Sequence, residues 1–159
     1  MEFHEWNENT NDTEKQQILI GLKSAKRAIL MSDAGLPCIA DPGNQVVAFA
    51  HQNGILVQPW VGPSSILLTL MGSGFNGQQF RFHGYLPRER NERIRVIKQL
   101  EQKIHTGETQ LFMDTPYRNQ AVWDDLIQNL SPQTLLCVGA NLQSNQQKLL
   151  TCTVEKWKK

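Results

Sequence analysis

Asp33 and Asp41 lie in a loop rich in glycine and proline that directly follows a short apolar run. The run is residues 28–31, and the loop, residues 32–43, reads SDAGLPCIADPG. Such a run is typical of a buried parallel strand, and open α/β sheets bind ligands where these strands end. Gly35 allows backbone conformations that bring amide groups close to a bound molecule. The pattern predicts a strand that leads into a ligand-binding loop, although an isolated Asp-Ala-Gly sequence fits a rigid connecting loop better.

The elements around this loop alternate between helical and strand patterns. In the first half we predict a helix over residues 11–26, the strand over 28–31, a helix over 45–52, a strand over 55–60 and a helix over 66–71. Asn11, Asp12 or Thr13 is the expected cap of the first helix. The turn Gly-Pro-Ser-Ser, residues 62–65, opens the last one. This alternation predicts a parallel sheet with crossover helices.

A cluster of glycines at residues 72–77 marks the predicted junction between two lobes, residues 1–76 and 77–159. The second lobe is expected to contain strands over 80–85, 109–113, 135–140 and 149–157, and helices over 88–103 and 119–130.

The composition excludes few classes of protein. The chain has 159 residues, 40% hydrophobic and 19% charged, with a net charge of +1, which suits one domain or two small lobes and points to no class of partner. The chain has three widely spaced cysteines, Cys38, Cys137 and Cys152. They predict a reducing compartment, and their spacing fits neither a disulfide framework nor a zinc site. The sequence shows no membrane span or secretion signal, so cytoplasm is the expected location.

Five motifs occur in the order found in one known superfamily. They are the 32–43 loop, the Val-Gly-Pro-Ser-Ser turn at 61–65, the pair Ser73-Gly74, the segment FRFHGYLPR at 80–88, and His4, Glu5, Asn7 and Glu8 ahead of the first helix. Together they resemble the tetrapyrrole methylase superfamily of S-adenosylmethionine-dependent methyltransferases. The match is closest to the branch that methylates a ribose 2′-hydroxyl in small-subunit ribosomal RNA.

The resemblance implies a two-lobed α/β tetrapyrrole-methylase-like fold, each lobe a sheet flanked by helices, with S-adenosylmethionine in the cleft and a homodimer as the assembly. It also implies which residues contact the cofactor: Asp33, Ala34, Gly35, Leu36, Ile39, Ser64, Ser65, Met113, Asp114, Asn141 and Leu142. No catalytic residue is assigned, because a methyl group on a positively charged sulfur needs little beyond alignment and desolvation.

Two departures from the family pattern affect these expectations. The family's first strand and glycine-rich loop have no counterpart here, so the chain is expected to be a fragment that lacks the N-terminal third, and it need not be active by itself. Residues 139–144 read Gly-Ala-Asn-Leu-Gln-Ser where the branch has Ala-Arg-Glu-Leu-Thr-Lys. The missing charges weaken the expectation of a ribosomal RNA substrate more than that of the cofactor.

Three alternatives stay open at this point. The chain could act on a tetrapyrrole, it could be a cofactor-binding relative without activity, or Asp33 and Asp41 could serve a metal-dependent phosphate hydrolase. The hydrolase explains one loop only, and the four histidines share no ligand spacing, so no metal is expected. Asp33, Asp41 and Asp114 are equally suited to cap helices or hold turns.

The remaining aromatic and basic residues allow both a structural and a binding role. Trp60 and Trp123 are expected in the core. The run RERNERIR, residues 88–95, is interpreted as a solvated helix start in preference to an RNA patch, because its charges are mixed. In the second interpretation, His83, Tyr85, Arg88 and Arg90 line an approach for nucleic acid.

Overall fold

Three helices precede the first strand in the computed structural model, which describes residues 2–159. In chain order the elements are α1 (Asp12–Ser24), α2 (Asn44–Gln52), α3 (Ser65–Ser73), β1 (Phe80–Tyr85), α4 (Arg90–Lys103), a 3₁₀ turn (Ile104–Thr106), β2 (Thr109–Met113), α5 (Asn119–Asn129), β3 (Leu135–Ala140), β4 (Lys148–Thr153) and α6 (Val154–Trp157). The predicted α/β class is confirmed. The chain divides into two compact units: the first ends at Ser64, and the second is Ser65–Lys159. The lobe boundary at residue 76 stays a prediction.

Local sequence signals define the two helices of the first unit. The side-chain oxygen of Asn11 accepts a hydrogen bond from the Glu14 amide at 2.9 Å, and the Glu14 carboxylate accepts one from the Asn11 amide at 3.4 Å. This reciprocal capping box satisfies amides that have no partner inside α1. Helix α2 ends at Gln52, Asn53 is its C-cap, and Gly54 follows in the left-handed conformation with φ +67°. Both helices were predicted, and Asn11 is one of the three residues predicted as the cap.

The two strands predicted in the first unit, residues 28–31 and 55–60, are not formed among the described residues. Along residues 55–58 burial alternates as it does in a strand with one covered face, but neither segment takes part in a ladder. A strand needs backbone partners from another segment, which the local apolar pattern cannot supply. Apolar side chains are therefore left exposed, Met31 by 68%, Leu56 by 90% and Trp60 by 81%. The prediction that Trp60 is a core residue was wrong.

The second unit contains two small sheets. Strands β1 and β2 are parallel, with Phe82 opposite Leu111 and a register shift before Tyr85 pairs with Met113; helix α4 makes the crossover between them. Strands β3 and β4 are antiparallel. The predicted strand over 149–157 ends at Thr153, because Val154 begins α6 and is fully buried.

The core of this unit lies between α4 and α5. Its buried members are Leu86, Ile97, Leu100, Val122 and Leu126, with Phe112 and Leu130 packed against them. Burial of each such side chain stabilises the fold by roughly 1.5–3 kcal/mol. Trp123 is half-buried and packs edge-on against Trp157, whose indole N–H donates to the Leu136 carbonyl at 3.0 Å.

A buried ion cluster lies beside this core. Asp125 of α5 is 1% exposed and Arg93 of α4 is 5% exposed. Arg93 Nη2 and Nε donate to Asp125 Oδ2 at 2.6 and 2.8 Å, and Arg90 Nε donates to Oδ1 at 3.0 Å. The expectation that residues 88–95 form a solvated helix start was therefore wrong at Arg93, although Arg90 and Arg95 are largely exposed.

Helix α3 packs closely on the second sheet through two glycines. A side-chain carbon at Gly139 of β3 would overlap Thr69 of α3, and one at Gly72 of α3 would overlap Leu149 of β4. The glycines thus set the distance between α3 and the strand that leads to Asn141.

Asp125→Asn is expected to destabilise the fold by about 3–5 kcal/mol, because Arg93 would remain buried without a countercharge. The measurement is urea denaturation followed by circular dichroism. Asp124→Asn is the matched control, because Asp124 is exposed and its substitution should change stability by less than about 0.5 kcal/mol. Equal effects of the two substitutions would contradict the role given to Asp125.

The same carboxylate predicts a pH dependence of stability. Burial by itself raises the pKa of Asp125, but hydrogen bonds and charges from Arg90 and Arg93 outweigh it and hold the pKa below its ordinary value of 3.8. The stabilisation is therefore present above the unfolded pKa and is lost as the pH falls through the lower, folded one. Denaturation at a series of acidic pH values should show this loss in the parent chain, and a smaller one in Asp125→Asn.

Gly139→Ala should cost about 1–3 kcal/mol, because Thr69 is β-branched and has little freedom to move away from the added methyl group. Gly77→Ala is the control, since nothing lies within 4 Å of the added carbon there. Thermal unfolding of both variants checks this, and an unchanged midpoint for Gly139→Ala would refute the close packing of α3.

Candidate functional site

The 32–43 loop is tightly folded. Gly35, Cys38, Ala40 and Gly43 all have positive φ, at 77°, 68°, 54° and 131°. Residues with a side chain rarely adopt this conformation, so Cys38 and Ala40 are held there at an energetic cost. Two turns stabilise the loop: Ser32 Oγ donates to the Ala34 carbonyl at 2.9 Å, and the Ile39 amide donates to the Leu36 carbonyl at 3.3 Å. Strained loop geometry of this kind is typical of ligand-binding segments.

The polar groups of the loop are open to solvent. Asp33, Ala34, Gly35 and Ile39 are exposed, and Leu36 is half-buried. In the described part of the chain the carboxylates of Asp33 and Asp41 accept no hydrogen bond, so neither caps a helix or holds a turn.

The Cys38 thiol of this loop is not activated. Burial and the nearby Asp41 carboxylate raise the pKa of Cys38. The thiol is therefore neutral near pH 7 and is poorly suited to act as a nucleophile.

The loop approaches the Gly-Pro-Ser-Ser turn within the first unit. A side-chain carbon placed on Gly62 would lie 2.8 Å from Leu36 Cδ2, and one on Gly43 would lie 2.8 Å from Leu30 Cδ2 and 3.1 Å from Cys38 Sγ. Glycine at both positions lets the backbone come this close. The structure therefore brings predicted site residue Leu36 next to the turn that contains Ser64.

In the second unit, Ser65 and Leu142 belong to neighbouring elements. Ser65 is the first residue of α3, and Leu142 lines a cavity of about 390 Å³ together with Leu68 and Met71 of that helix. Asn141 has φ +50°, and its carbonyl accepts hydrogen bonds from the Ser144 amide and hydroxyl at 3.1 and 2.8 Å. The loop after β3 is thus folded back as a tight turn.

Met113 and Asp114 lie where β2 ends. Asp114 Oδ1 accepts from the Thr115 amide at 2.8 Å, so this aspartate does hold a turn. Its side chain is 6% exposed, and its buried Oδ2 lies 3.2 Å from Arg118 Nη2 without accepting a hydrogen bond among the described residues. Arg118 Nη2 donates instead to the carbonyls of Leu86 and Pro87, at 2.7 and 3.0 Å.

A second cavity of about 600 Å³ lies beside the core of the second unit. It is lined by Phe112, Leu126, Leu135 and Leu136, among others, and no predicted site residue contributes to it. Sequence reasoning also gave no role to Arg118, and the only local signal for it is its place four residues after Asp114.

Neither a cluster of metal-ligating side chains nor a membrane-spanning helix is found within residues 2–159. No group of three or more His, Cys, Asp or Glu side chains there could hold a metal ion. None of the helices in that range is long and apolar enough to cross a membrane.

Comparison with known proteins identifies relatives by sequence. No protein-family model matches the chain. It is 32% identical over 122 residues to the ribosomal RNA small subunit methyltransferase I of Halalkalibacterium halodurans, covering 77% of this chain and 41% of that protein. The protein of the same name from Thermotoga maritima is 34% identical over 123 residues, covering 77% and 54%. That of Streptococcus pyogenes is 38% identical over 117 residues, covering 73% and 38%.

The chain thus spans roughly half or less of the length of the curated relatives it matches, 41% and 54% in the first two cases. The matched stretches cover most of this chain, and the three relatives share one name. The resemblance indicated by the motifs is therefore confirmed, and the chain is a relative of part of the ribosomal RNA small subunit methyltransferase I proteins.

Proposed function

We propose that this chain is part of an S-adenosylmethionine-dependent methyltransferase that modifies a ribose 2′-hydroxyl of small-subunit ribosomal RNA. The name shared by its relatives supports methyl transfer to small-subunit ribosomal RNA, and the motif resemblance supports the ribose 2′-hydroxyl and the cofactor. The observation that carries the cofactor site is the contact between Leu36 and Gly62, which joins the 32–43 loop to the Gly-Pro-Ser-Ser turn.

In this proposal the first unit binds the methionine portion and the sulfonium of the cofactor. The contacting residues are Asp33, Ala34, Gly35, Leu36, Ile39 and Ser64. The chemistry fits, because Asp33 and Asp41 place two carboxylates without hydrogen-bond partners beside a strained loop. A cation close to such carboxylates gains favourable electrostatic energy.

Ser65, like Ser64, contacts the cofactor from the Gly-Pro-Ser-Ser turn, and the adenosine is approached by Met113, Asp114, Asn141 and Leu142. Asp114 takes part through the turn after β2: its Oδ1 accepts from the Thr115 amide, and its buried Oδ2 lies 3.2 Å from Arg118 Nη2.

The chemistry asked of the protein is modest. When bound, the cofactor supplies a methyl group already activated by the positive sulfur. The residues of this chain align the cofactor, exclude water from it and leave the acceptor hydroxyl in reach. We assign no general base, and the neutral Cys38 thiol takes no part.

The same proposal includes a homodimer and a cytoplasmic location. The second candidate function is a cofactor-binding relative that transfers no methyl group to RNA. It is favoured by the neutral residues at 139–144, which replace three charged residues of the branch.

Asp33→Asn should weaken the binding of S-adenosylmethionine about fivefold, the equivalent of ~1 kcal/mol for two opposite charges near water. Binding of S-adenosylhomocysteine should change less, because its sulfur is uncharged. Isothermal titration calorimetry with both compounds measures the difference. Asp12→Asn, a loss of charge in the first turn of α1, is the control. If neither this chain nor a version extended at its N-terminus binds S-adenosylmethionine, the cofactor assignment is wrong.

Methyl transfer is tested by incubating the chain with small ribosomal subunits and S-adenosylmethionine labelled in the methyl group. Because a 2′-O-methylated ribose resists alkaline cleavage, label is expected in alkali-stable dinucleotides. Cofactor binding without transfer to RNA, both by this chain and by a version extended at its N-terminus, would favour the second candidate.

A further inference from the structure

The ends of β1 and β2 carry an exposed surface of aromatic and basic residues that the proposed cofactor site does not use. We call Tyr85, Arg88 and Tyr117 the tyrosine–arginine surface. Tyr85 is 46% exposed, Tyr117 is 98% exposed and Arg88 is exposed. Because the strands are parallel, the segments that follow them leave the sheet at the same edge. The hydrogen bond from Arg118 to the Leu86 carbonyl joins these two segments directly.

Two arginines fix the backbone beneath this surface. Arg118 Nη2 donates to the carbonyls of Leu86 and Pro87, and Arg93 Nη1 donates to those of Pro87 and Arg88 at 3.2 and 2.9 Å. Three consecutive carbonyls are thus held by guanidinium groups, and Asp125 fixes Arg93 in turn. A surface held in this way loses little conformational entropy when it binds a partner.

The two carboxylates closest in sequence to this surface have partners within the fold. The carboxylate of Glu89 accepts hydrogen bonds from the Asn91 and Glu92 amides at 3.0 and 2.7 Å and so caps α4. Asp114 is buried beside Arg118. In the described part of the chain the Arg88 side chain forms no ion pair, so its charge is available to an anionic partner.

Two other residues expected to contact nucleic acid interact with side chains of this chain instead. His83 Nε2 lies 2.7 Å from Gln110 Oε1, and Arg90 is bound to Asp125. Tyr117, which the sequence did not single out, stands exposed instead.

We propose that the tyrosine–arginine surface binds a single-stranded segment of the RNA acceptor, with a base stacked on Tyr117 and a phosphate bound by Arg88. Aromatic rings bind unpaired bases by stacking, and arginine binds the phosphate backbone. Paired bases in a duplex are not open to such stacking, so the surface should prefer single strands. This inference rests on the proposed function, which supplies RNA as the partner.

Fluorescence anisotropy with a labelled single-stranded RNA oligonucleotide tests the surface. Tyr117→Ala should weaken binding about tenfold through lost stacking, and Tyr117→Phe should keep the parent affinity. Arg88→Gln should lower the slope of log affinity against log salt by about 0.7, the value for one lost phosphate contact. The matched control is Arg95→Gln, another exposed arginine, which should leave binding unchanged. The duplex of the same sequence should bind Tyr117→Ala and the parent chain equally.

The surface is refuted if the parent chain does not bind the single strand, or if Tyr117→Ala and Arg88→Gln bind it as the parent does. Calorimetry with S-adenosylmethionine is run on the same samples, and all variants should bind the cofactor as the parent does. Intact cofactor binding with no effect of the variants on RNA refutes the surface alone. RNA binding that depends on these residues, with no cofactor binding by this chain or by a version extended at its N-terminus, refutes the proposed function and leaves an RNA-binding surface.

Discussion

The buried carboxylate of Asp125 is the interaction on which the second unit most depends. It lies on α5, accepts hydrogen bonds from Arg90 and Arg93 of α4, and through Arg93 reaches the carbonyls that follow β1. Removing both charges from water is costly, and that cost is offset only when the geometry is good and the remaining N–H groups are also bonded. Arg93 meets this condition because its Nη1 has two carbonyl partners. The ion cluster therefore couples the packing of α4 on α5 to the path of the chain leaving the sheet.

The two units shape their candidate binding segments by different means. In the second unit, Arg93 and Arg118 hold backbone carbonyls in place, so the segments after β1 and β2 are fixed by charged hydrogen bonds. In the first unit the 32–43 loop has no comparable ion pair among the described residues. It is shaped by left-handed residues such as Cys38 and Gly43 and by close approach to Gly62. A loop of that kind leaves its carboxylates unpaired, which suits the cationic ligand proposed for it.

Local patterns predicted most helices and the strands of the second unit. The strands Thr109–Met113 and Leu135–Ala140 were predicted with their observed bounds, and Asn11 was one of three adjacent residues predicted as the cap of α1, because caps and apolar runs act over a few residues. The failures have non-local causes. Residues 28–31 and 55–60 have strand composition but no ladder, and Arg93 is buried because of a partner 32 positions away. Motif content identified the candidate site, yet the approach of Gly62 to Leu36 and the clamping of Leu86 by Arg118 depend on tertiary packing that no local spacing encodes.

The unpaired segment after α1 has a practical consequence for handling the protein. Ala25 is extended, Lys26 and Arg27 are exposed, and the residues that follow enter no ladder. Proteases bind substrates as extended strands, and trypsin cleaves after lysine and arginine, so this connection meets both requirements without prior unfolding. Nicking between α1 and α2 would separate the capped helix from the loop that carries Asp33, while Asp125 and its arginines would stay on one uncut piece.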